Sequence, residues 1–412
     1  MKLRKQAIIN AGGNTVYLFA LWFLTVITTR TLGYEAVGTL TLAMAIGNVI
    51  ATFQMYGMRG YQSSDMSFQF SPKDYLNSRC VTVLIGWIGG VWICLVGGYP
   101  KEISISILLF ILTKTSETFS DVLFGNDQRA GHLELNGCSM MIRGLLLIVL
   151  FATGAVCFRS LNNALILSAA GLLALSLFMD LPLHNRLMRT LGNTENHGFT
   201  GILKKCSPLL LTAMIAVVVT ALPRLGIERY CGVRELGFYG NVSTPALVLT
   251  TVIPTILNAL LPKYGMAYKD KDYRRLKTIW LKTIIGVAAA GVLCIIGVAI
   301  GGKSFLSFVY TDEIIPYVHY LYPVMIVMTI YSITVCNCTW LVAVRRNWAT
   351  TITEFTGLVI CLIVLSSLVK NYRIAGAIAV LLITYSVQAL IQFIWILKIC
   401  KDEENANETV DS

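Results

Sequence analysis

The sequence predicts an all-α polytopic membrane protein of about twelve transmembrane helices, arranged as two pseudo-symmetric six-helix lobes around a central cavity. Three observations predict it. The 412 residues are 56% hydrophobic and 13% charged, with a mean hydropathy of +0.69. A typical soluble domain carries about 25% charge, so too little polar surface is left to cover a water-soluble globule. The apolar residues come in runs of about 20, the length a bilayer crossing needs. Two short motifs then recur at nearly one offset, half a chain apart.

The spans read from these runs are 7–29, 36–58, 79–98, 103–124, 136–157, 163–184, 206–223, 238–262, 278–301, 317–342, 350–369 and 375–397. The first follows a basic start, Met1-Lys-Leu-Arg-Lys5, and runs to Thr29 without a small-residue cleavage site. It is read as an uncleaved span rather than a signal peptide. Arg30-Thr-Leu-Gly33-Tyr-Glu-Ala-Val-Gly38 joins spans one and two, and Arg229-Tyr-Cys-Gly232-Val-Arg-Glu-Leu-Gly237 joins seven and eight. Both read Arg-x-x-Gly-x-x-x-x-Gly, 199 residues apart. Lys73-Asp74-Tyr75 precedes span three and Lys271-Asp272-Tyr273 precedes span nine, 198 residues apart. Matches at equivalent places argue for duplication, with lobes 1–197 and 198–397 and a polar tail, 398–412. Six spans per lobe give both lobes the same direction, hence a pseudo-two-fold axis along the membrane normal and a cavity suited to alternating access.

An even span count puts both termini on one side. With the N-terminus cytoplasmic, 21 of the 33 Lys and Arg fall in inside segments and 9 in outside ones, with Lys114, Arg143 and Lys282 inside spans. The positive-inside rule therefore predicts cytoplasmic termini. The net charge of +11 sits between hydrophobic runs, which points to topology rather than to nucleic acid. Most of the eleven cysteines lie in apolar runs, among them Cys94, Cys157, Cys294 and Cys361, where the thiol acts as a small hydrophobe. No metal site, disulfide framework or cofactor is expected. His132, His184, His197 and His319 fall at span ends or in loops, as solvated residues. Trp87, Trp280 and Trp395 lie near span ends as interface or packing residues.

A charge near the bilayer centre is costly and is retained where it lines a cavity or has a partner. Span four carries Lys114, Glu117 and Asp121 at i, i+3 and i+7, on one helical face. Lys114 lies near mid-membrane, and Arg143 on span five is level with Glu117. Glu354 sits about one turn into span eleven, Asp180 near the end of span six, and Arg30 and Arg224 at outer ends. One reading is a polar, partly cationic cavity. Its cations, Arg30, Lys114, Arg143 and Arg224, would hold an anionic substrate. Its carboxylates, Glu117, Asp121, Asp180 and Glu354, would carry protons or gate. The other reading is structural: Lys114 pairs with Glu117 and Glu117 with Arg143, stitching helices together, while Arg30 and Arg224 snorkel.

The segment Lys114-Thr-Ser-Glu117-Thr-Phe-Ser-Asp121 through Gly125-Asn-Asp-Gln128-Arg129 resembles the span-four signature of the Wzx-type polysaccharide flippases of the multidrug/oligosaccharidyl-lipid/polysaccharide (MOP) exporter superfamily. Ile27 through Gly38, Tyr56-Gly-Met-Arg59-Gly-Tyr-Gln62-Ser-Ser-Asp65 with Tyr75 and Arg79, and Pro223-Arg224 through Tyr239 are similar too. The resemblance spans the chain. It implies movement of undecaprenyl-pyrophosphate-linked oligosaccharide units to the outer leaflet of a bacterial inner membrane, for O-antigen, capsule or lipopolysaccharide-type polymers. It implies no enzymatic step. As candidates it adds Arg59, Gln62, Asp65 and Gln128, read as a cytoplasmic gate loop. The expected partners are the lipid-linked oligosaccharide, membrane lipids, and the polymerase and chain-length proteins of the same pathway. The rivals are a lipid II flippase, a drug antiporter of the same superfamily, and a membrane-embedded polymerase. A polymerase needs a larger outer loop than this chain offers, and no Walker A, His-Glu-x-x-His or Gly-x-Ser-x-Gly motif is present.

Overall fold

The computed structural model describes residues 3–64, 69–188, 198–246, 253, 257, 260, 261 and 263–411, side chains at 3, 4, 64 and 402–411 excepted. Every regular element among them is helical. In chain order they are α1 (Leu3–Met55), α2 (Met58–Ser64), α3 (Pro72–Gly97), α4 (Lys101–Arg129), α5 (Leu133–Phe158), α6 (Leu161–Leu175), α7 (Leu181–Met188), α8 (Phe199–Cys231), α9 (Val233–Ser243), α10 (Tyr273–Val309), α11 (Leu321–Ala343) and α12 (Asn347–Asp411). Nine continuous helical stretches of the described residues are long and apolar enough to cross a bilayer. Two of them hold a pair of spans each, because α1 turns at Gly33 and α12 at Arg373. The protein is a multi-pass membrane protein with the helix count expected of it.

The turns follow from local chemistry. Gly33 has φ 84 and ψ 179, and Gly232, ahead of α9, has φ 92 and ψ 166. This region is essentially closed to residues with a Cβ. The two glycines of the repeated motif thus make the same bend. Ser71 and Asp74 form a reciprocal capping box at the start of α3. At the start of α10 the cap is Asp272 itself, accepting from the Arg275 amide. The repeated Lys-Asp-Tyr therefore sits in a different register at the two helix starts. The end of α4 closes with His132 N–H on Asp127 O and Gly131 N–H on Gln128 O. The end of α11 closes in the same way, with Arg346 N–H on Leu341 O and Arg345 N–H on Val342 O. Both are Schellman closures around a left-handed residue.

The chain forms two compact units, Met1–Val217 and Val218–Ser412. The division falls within α8, beyond the boundary after residue 197 read from the sequence. The start of α8 packs into the first unit through Ile202 and Cys206, which join Met58, Phe70, Tyr75 and Val122 in one buried cluster. The tail beyond 398 continues α12 as helix to Asp411.

In the first unit α1 lies closely along α5. A Cβ at Gly137 would strike the Ile9 carbonyl, and one at Gly144 would come 3.1 Å from the Tyr17 backbone. Without a hydrophobic force between helices in lipid, such small residues allow the close packing that holds helices together. Here they also set Tyr17 beside the interior of the bundle. Between α6 and α7 the helix widens into a π turn at Ser176–Asp180, with Leu181 N–H on Ser176 O. Pro182 follows directly and has no N–H to continue the α ladder. The wide turn re-aims Ser176 and Asp180 into the bundle.

Candidate functional site

The centre of the first unit is α4, the least apolar of the spans and polar on several sides at once. The face carrying Lys114 and Glu117 meets α1. Lys114 Nζ donates to Glu117 Oε2 at 2.6 Å, and Tyr17 Oη donates to the same oxygen at 2.7 Å. The ammonium also lies 5.5 Å from the Tyr17 ring centroid and 6.0 Å from that of Phe110. Lys114 and Glu117 are both largely buried, their side chains 9% and 16% exposed.

A second face presents Ser116 and Ser120 to α5 and the π turn. Arg143 is fully buried. Its guanidinium donates to the hydroxyls of Ser116, Ser120 and Ser176 and to Asp180 Oδ2 at 2.7 Å. Asp180 is completed by Ser120 at 2.8 Å and Ser139 at 2.7 Å. This corrects the expectation that Arg143 is a cavity cation and that it pairs with Glu117. Four serine hydroxyls and a wide helical turn supply the pair with hydrogen-bond partners. A guanidinium can be kept dry only with such partners.

A third face, nearer the end of α4, meets α2 and α3. Asp121 is shared by two arginines. Arg59 Nη1 reaches Oδ1 at 3.2 Å and Arg79 Nη2 reaches Oδ2 at 3.2 Å. Arg59 also donates to Gln128 Oε1 through Nη2 at 3.0 Å and Nε at 3.2 Å. The fully buried Arg79 donates to the Gln54 carbonyl as well. Gln62 threads past Gly125, where a Cβ would collide with its amide, and donates to Val122 O and to Asn126 Oδ1. Gln54, fully buried, exchanges hydrogen bonds with Thr115 and accepts from Thr118. Below them Asp127 and His184 pair at 2.7 Å, both buried. His184 is thus a core residue and not a solvated one.

The structure brings together Lys114 with Glu117, Arg143 with Asp180, and Arg59, Gln62, Asp121 and Gln128 around the end of α4. Asp65 lies outside the described residues. Arg30 is exposed at the bend between spans one and two. Arg224 and Glu354 belong to the second unit. Arg224 is half-buried, and Glu354 accepts from the buried Gln388 at 3.1 Å. Sequence reasoning missed Tyr17, Gln54 and the four serines. The Ser116-x-x-x-Ser120 spacing beside a charged helix face is the one signal that marks any of them. Tyr17 lies in an apolar run with nothing to distinguish it. Among the Lys and Arg ion pairs around α4, three carboxylates, Glu117, Asp121 and Asp180, serve four cations, Lys114, Arg59, Arg79 and Arg143, while Asp127 on the same helix pairs with His184. Arg59 and Arg79 divide a single partner, so this set carries positive charge in excess.

No protein-family model matches the chain. The capsular polysaccharide biosynthesis protein CapF of Staphylococcus aureus is 23% identical over 255 residues, covering 60% of this chain. The matched region spans 62% of CapF's length, less than two thirds. Among solved structures, the chain is similar to a multidrug-resistance MATE transporter of the MOP superfamily in its inward-facing conformation. The TM-score is 0.73 at 13% identity, over 97% of this chain and 99% of that one. It is similar to the MATE multidrug transporter DinF-BH, with a TM-score of 0.71 at 16% identity over 96% and 95% of the two chains. A third likeness is to a MOP superfamily transporter of Pyrococcus furiosus, described as having a binding pocket of reverse polarity. Its TM-score is 0.60 at 13% identity over 98% and 95%. At these identities the likeness is one of fold: the chain has the fold of the MATE transporters.

Proposed function

We propose that the protein is a transporter that moves undecaprenyl-pyrophosphate-linked oligosaccharide units across the bacterial inner membrane by alternating access, with both termini in the cytoplasm. The units would feed O-antigen, capsule or a related polymer, alongside the polymerase and chain-length proteins of that pathway. The observation that carries this reading is the positive excess around α4. Cations that outnumber their carboxylate partners within a membrane suit an anionic cargo, because guanidinium and ammonium groups bind phosphate oxygens through charge-assisted hydrogen bonds. Lys114 is the cation best suited to the task. Its ion-pair partner among the described residues, Glu117, also accepts from Tyr17. An arriving diphosphate that draws Lys114 away leaves Glu117 with a donor in place, or ready to take a proton. That exchange is the coupling step in this reading. Likeness to CapF points to the same class of cargo.

A second reading is a drug antiporter, favoured by the multidrug transporters that share the fold. One experiment separates them. Cells lacking the protein are expected to accumulate complete lipid-linked repeat units in the inner leaflet, with wild type but not Lys114→Ala restoring export at equal membrane abundance. Normal export in the deletion strain, together with loss of efflux of a cationic dye, overturns the flippase reading in favour of the antiporter. Unchanged export by Lys114→Ala removes Lys114 from the site.

A further inference from the structure

The second unit spends its basic residues differently from the first. In the first unit Arg59, Arg79 and Arg143 turn inward onto carboxylates. In the second, one end is built on a single buried cluster that draws in three separate segments: Tyr264, Tyr273 and Trp280 beside the turn before α10, Trp340 and Val344 beside the turn after α11, and Ile396 and Cys400 late in α12. The basic residues around that cluster face outward. Lys263, Lys269, Lys271, Arg274, Arg275 and Lys277 of the first segment are all exposed. So are Arg345, Arg346, Lys398 and Lys401 of the other two. Among the described residues no ion pair involves Lys263, Lys269, Arg274, Arg275, Lys277 or Arg345, although Asp270 and Asp272 lie in the same turn.

Directly after Arg345 and Arg346 an apolar stripe begins. Trp348, Ile352 and Phe355 are 45%, 49% and 58% exposed. At spacings of four and three residues they share one face of α12. Trp348 meets Trp395 edge-on at 4.7 Å. Indole rings at the end of a span sit at headgroup level, so this end has cations at the water boundary and an acyl-sized apolar track running from them into the bilayer. The cations suit an anionic partner, and the apolar track beside them suits one that carries an acyl chain.

We propose that this end of the second unit is a docking surface for anionic glycerophospholipids, with headgroups on the basic rim and an acyl chain along Trp348, Ile352 and Phe355. It is the end that the charge count assigns to the cytoplasm, where juxtamembrane basic clusters attract anionic lipid. The inference stands whichever cargo the transporter carries.

Full-length protein in neutral detergent is titrated with dioctanoyl phosphatidylglycerol and, separately, with dioctanoyl phosphatidylcholine. The expected result is a preference of about tenfold or more for the anionic lipid at about 0.1 M salt, largely lost at about 0.5 M. The variant R274Q/R275Q/R345Q/R346Q is expected to lose that preference, and K303Q/K370Q, on exposed residues elsewhere, to keep it. Removing positive charges can disturb insertion, so the site is also mapped on wild type. A photoreactive phosphatidylglycerol should label peptides within 263–277 and 345–355. Equal affinity for the two lipids, or labelling confined to other regions, overturns the proposal. So does tighter binding of a poly-glutamate peptide than of the anionic lipid, which would indicate an acidic protein partner instead.

Discussion

Replacing Asp180 by Asn removes the counter-ion of a guanidinium that has no route to water. Arg143 is fully buried, and Asp180 is 4% exposed. The amide keeps the shape of the carboxylate, so the Ser139 and Ser120 contacts change little in geometry while the charge is lost. An uncompensated buried charge costs about 3–5 kcal/mol. The reverse change, Arg143→Met, is expected to be milder, about 2 kcal/mol. Asp180 would still accept from two serines and can take a proton, whereas arginine cannot shed one. For a unit of this size each kcal/mol moves the melting temperature by about 2–4 °C. Asp180→Asn should therefore lower the Tm of the detergent-solubilised protein by about 10 °C and Arg143→Met by about half that. The double variant Arg143→Met/Asp180→Leu should recover most of the loss, since apolar replacement of a buried pair is often neutral or better. Thermal denaturation of the three proteins, followed by tryptophan fluorescence, measures this directly. A Tm for Asp180→Asn within about 2 °C of wild type, or a larger loss for Arg143→Met, would refute the assignment of this pair to structure.

Other expected outcomes rest on separate contacts. Arg59→Ala should leave stability within about 1 kcal/mol, since Asp121 keeps Arg79, while export of lipid-linked units falls. Arg79→Ala should cost more, about 2–3 kcal/mol, because it empties a fully buried site and removes a donor from the Gln54 carbonyl; thermal denaturation and the export assay on both variants test the contrast. Gly137→Ala drives a methyl group into the Ile9 carbonyl and backbone. It should destabilise by about 1–3 kcal/mol, whereas Gly12→Ala, with open space around it, should be neutral by the same measurement. Gly33→Ala asks an L-residue to hold φ 84 and ψ 179 and should cost about 1–3 kcal/mol, seen as a lowered Tm.

Hydropathy made the spans readable because the bilayer imposes one length and one polarity on every crossing. The repeated glycines were readable because a bend of that geometry admits no other residue. The Lys114–Glu117 pair was legible from its spacing, since i and i+3 share a helical face. The partners of Arg143 were not. Its level along the membrane matched Glu117, yet the π turn ahead of Pro182 carries Asp180 and Ser176 to it instead, and a change of helical period is invisible to a reading that assumes 3.6 residues per turn. His184, placed at a span end by the same reading, is enclosed because Asp127 on α4 faces it.

The sequence by itself determined that the chain crosses a membrane many times and that charge is retained where lipid would expel it, because each of these is a property of single segments against their solvent. Which charges meet was decided only by the tertiary structure. Pairing depends on which helices come close and how each is rotated. Those choices are set by small residues such as Gly137 and Gly144, and by one wide turn, through contacts between residues far apart in the chain.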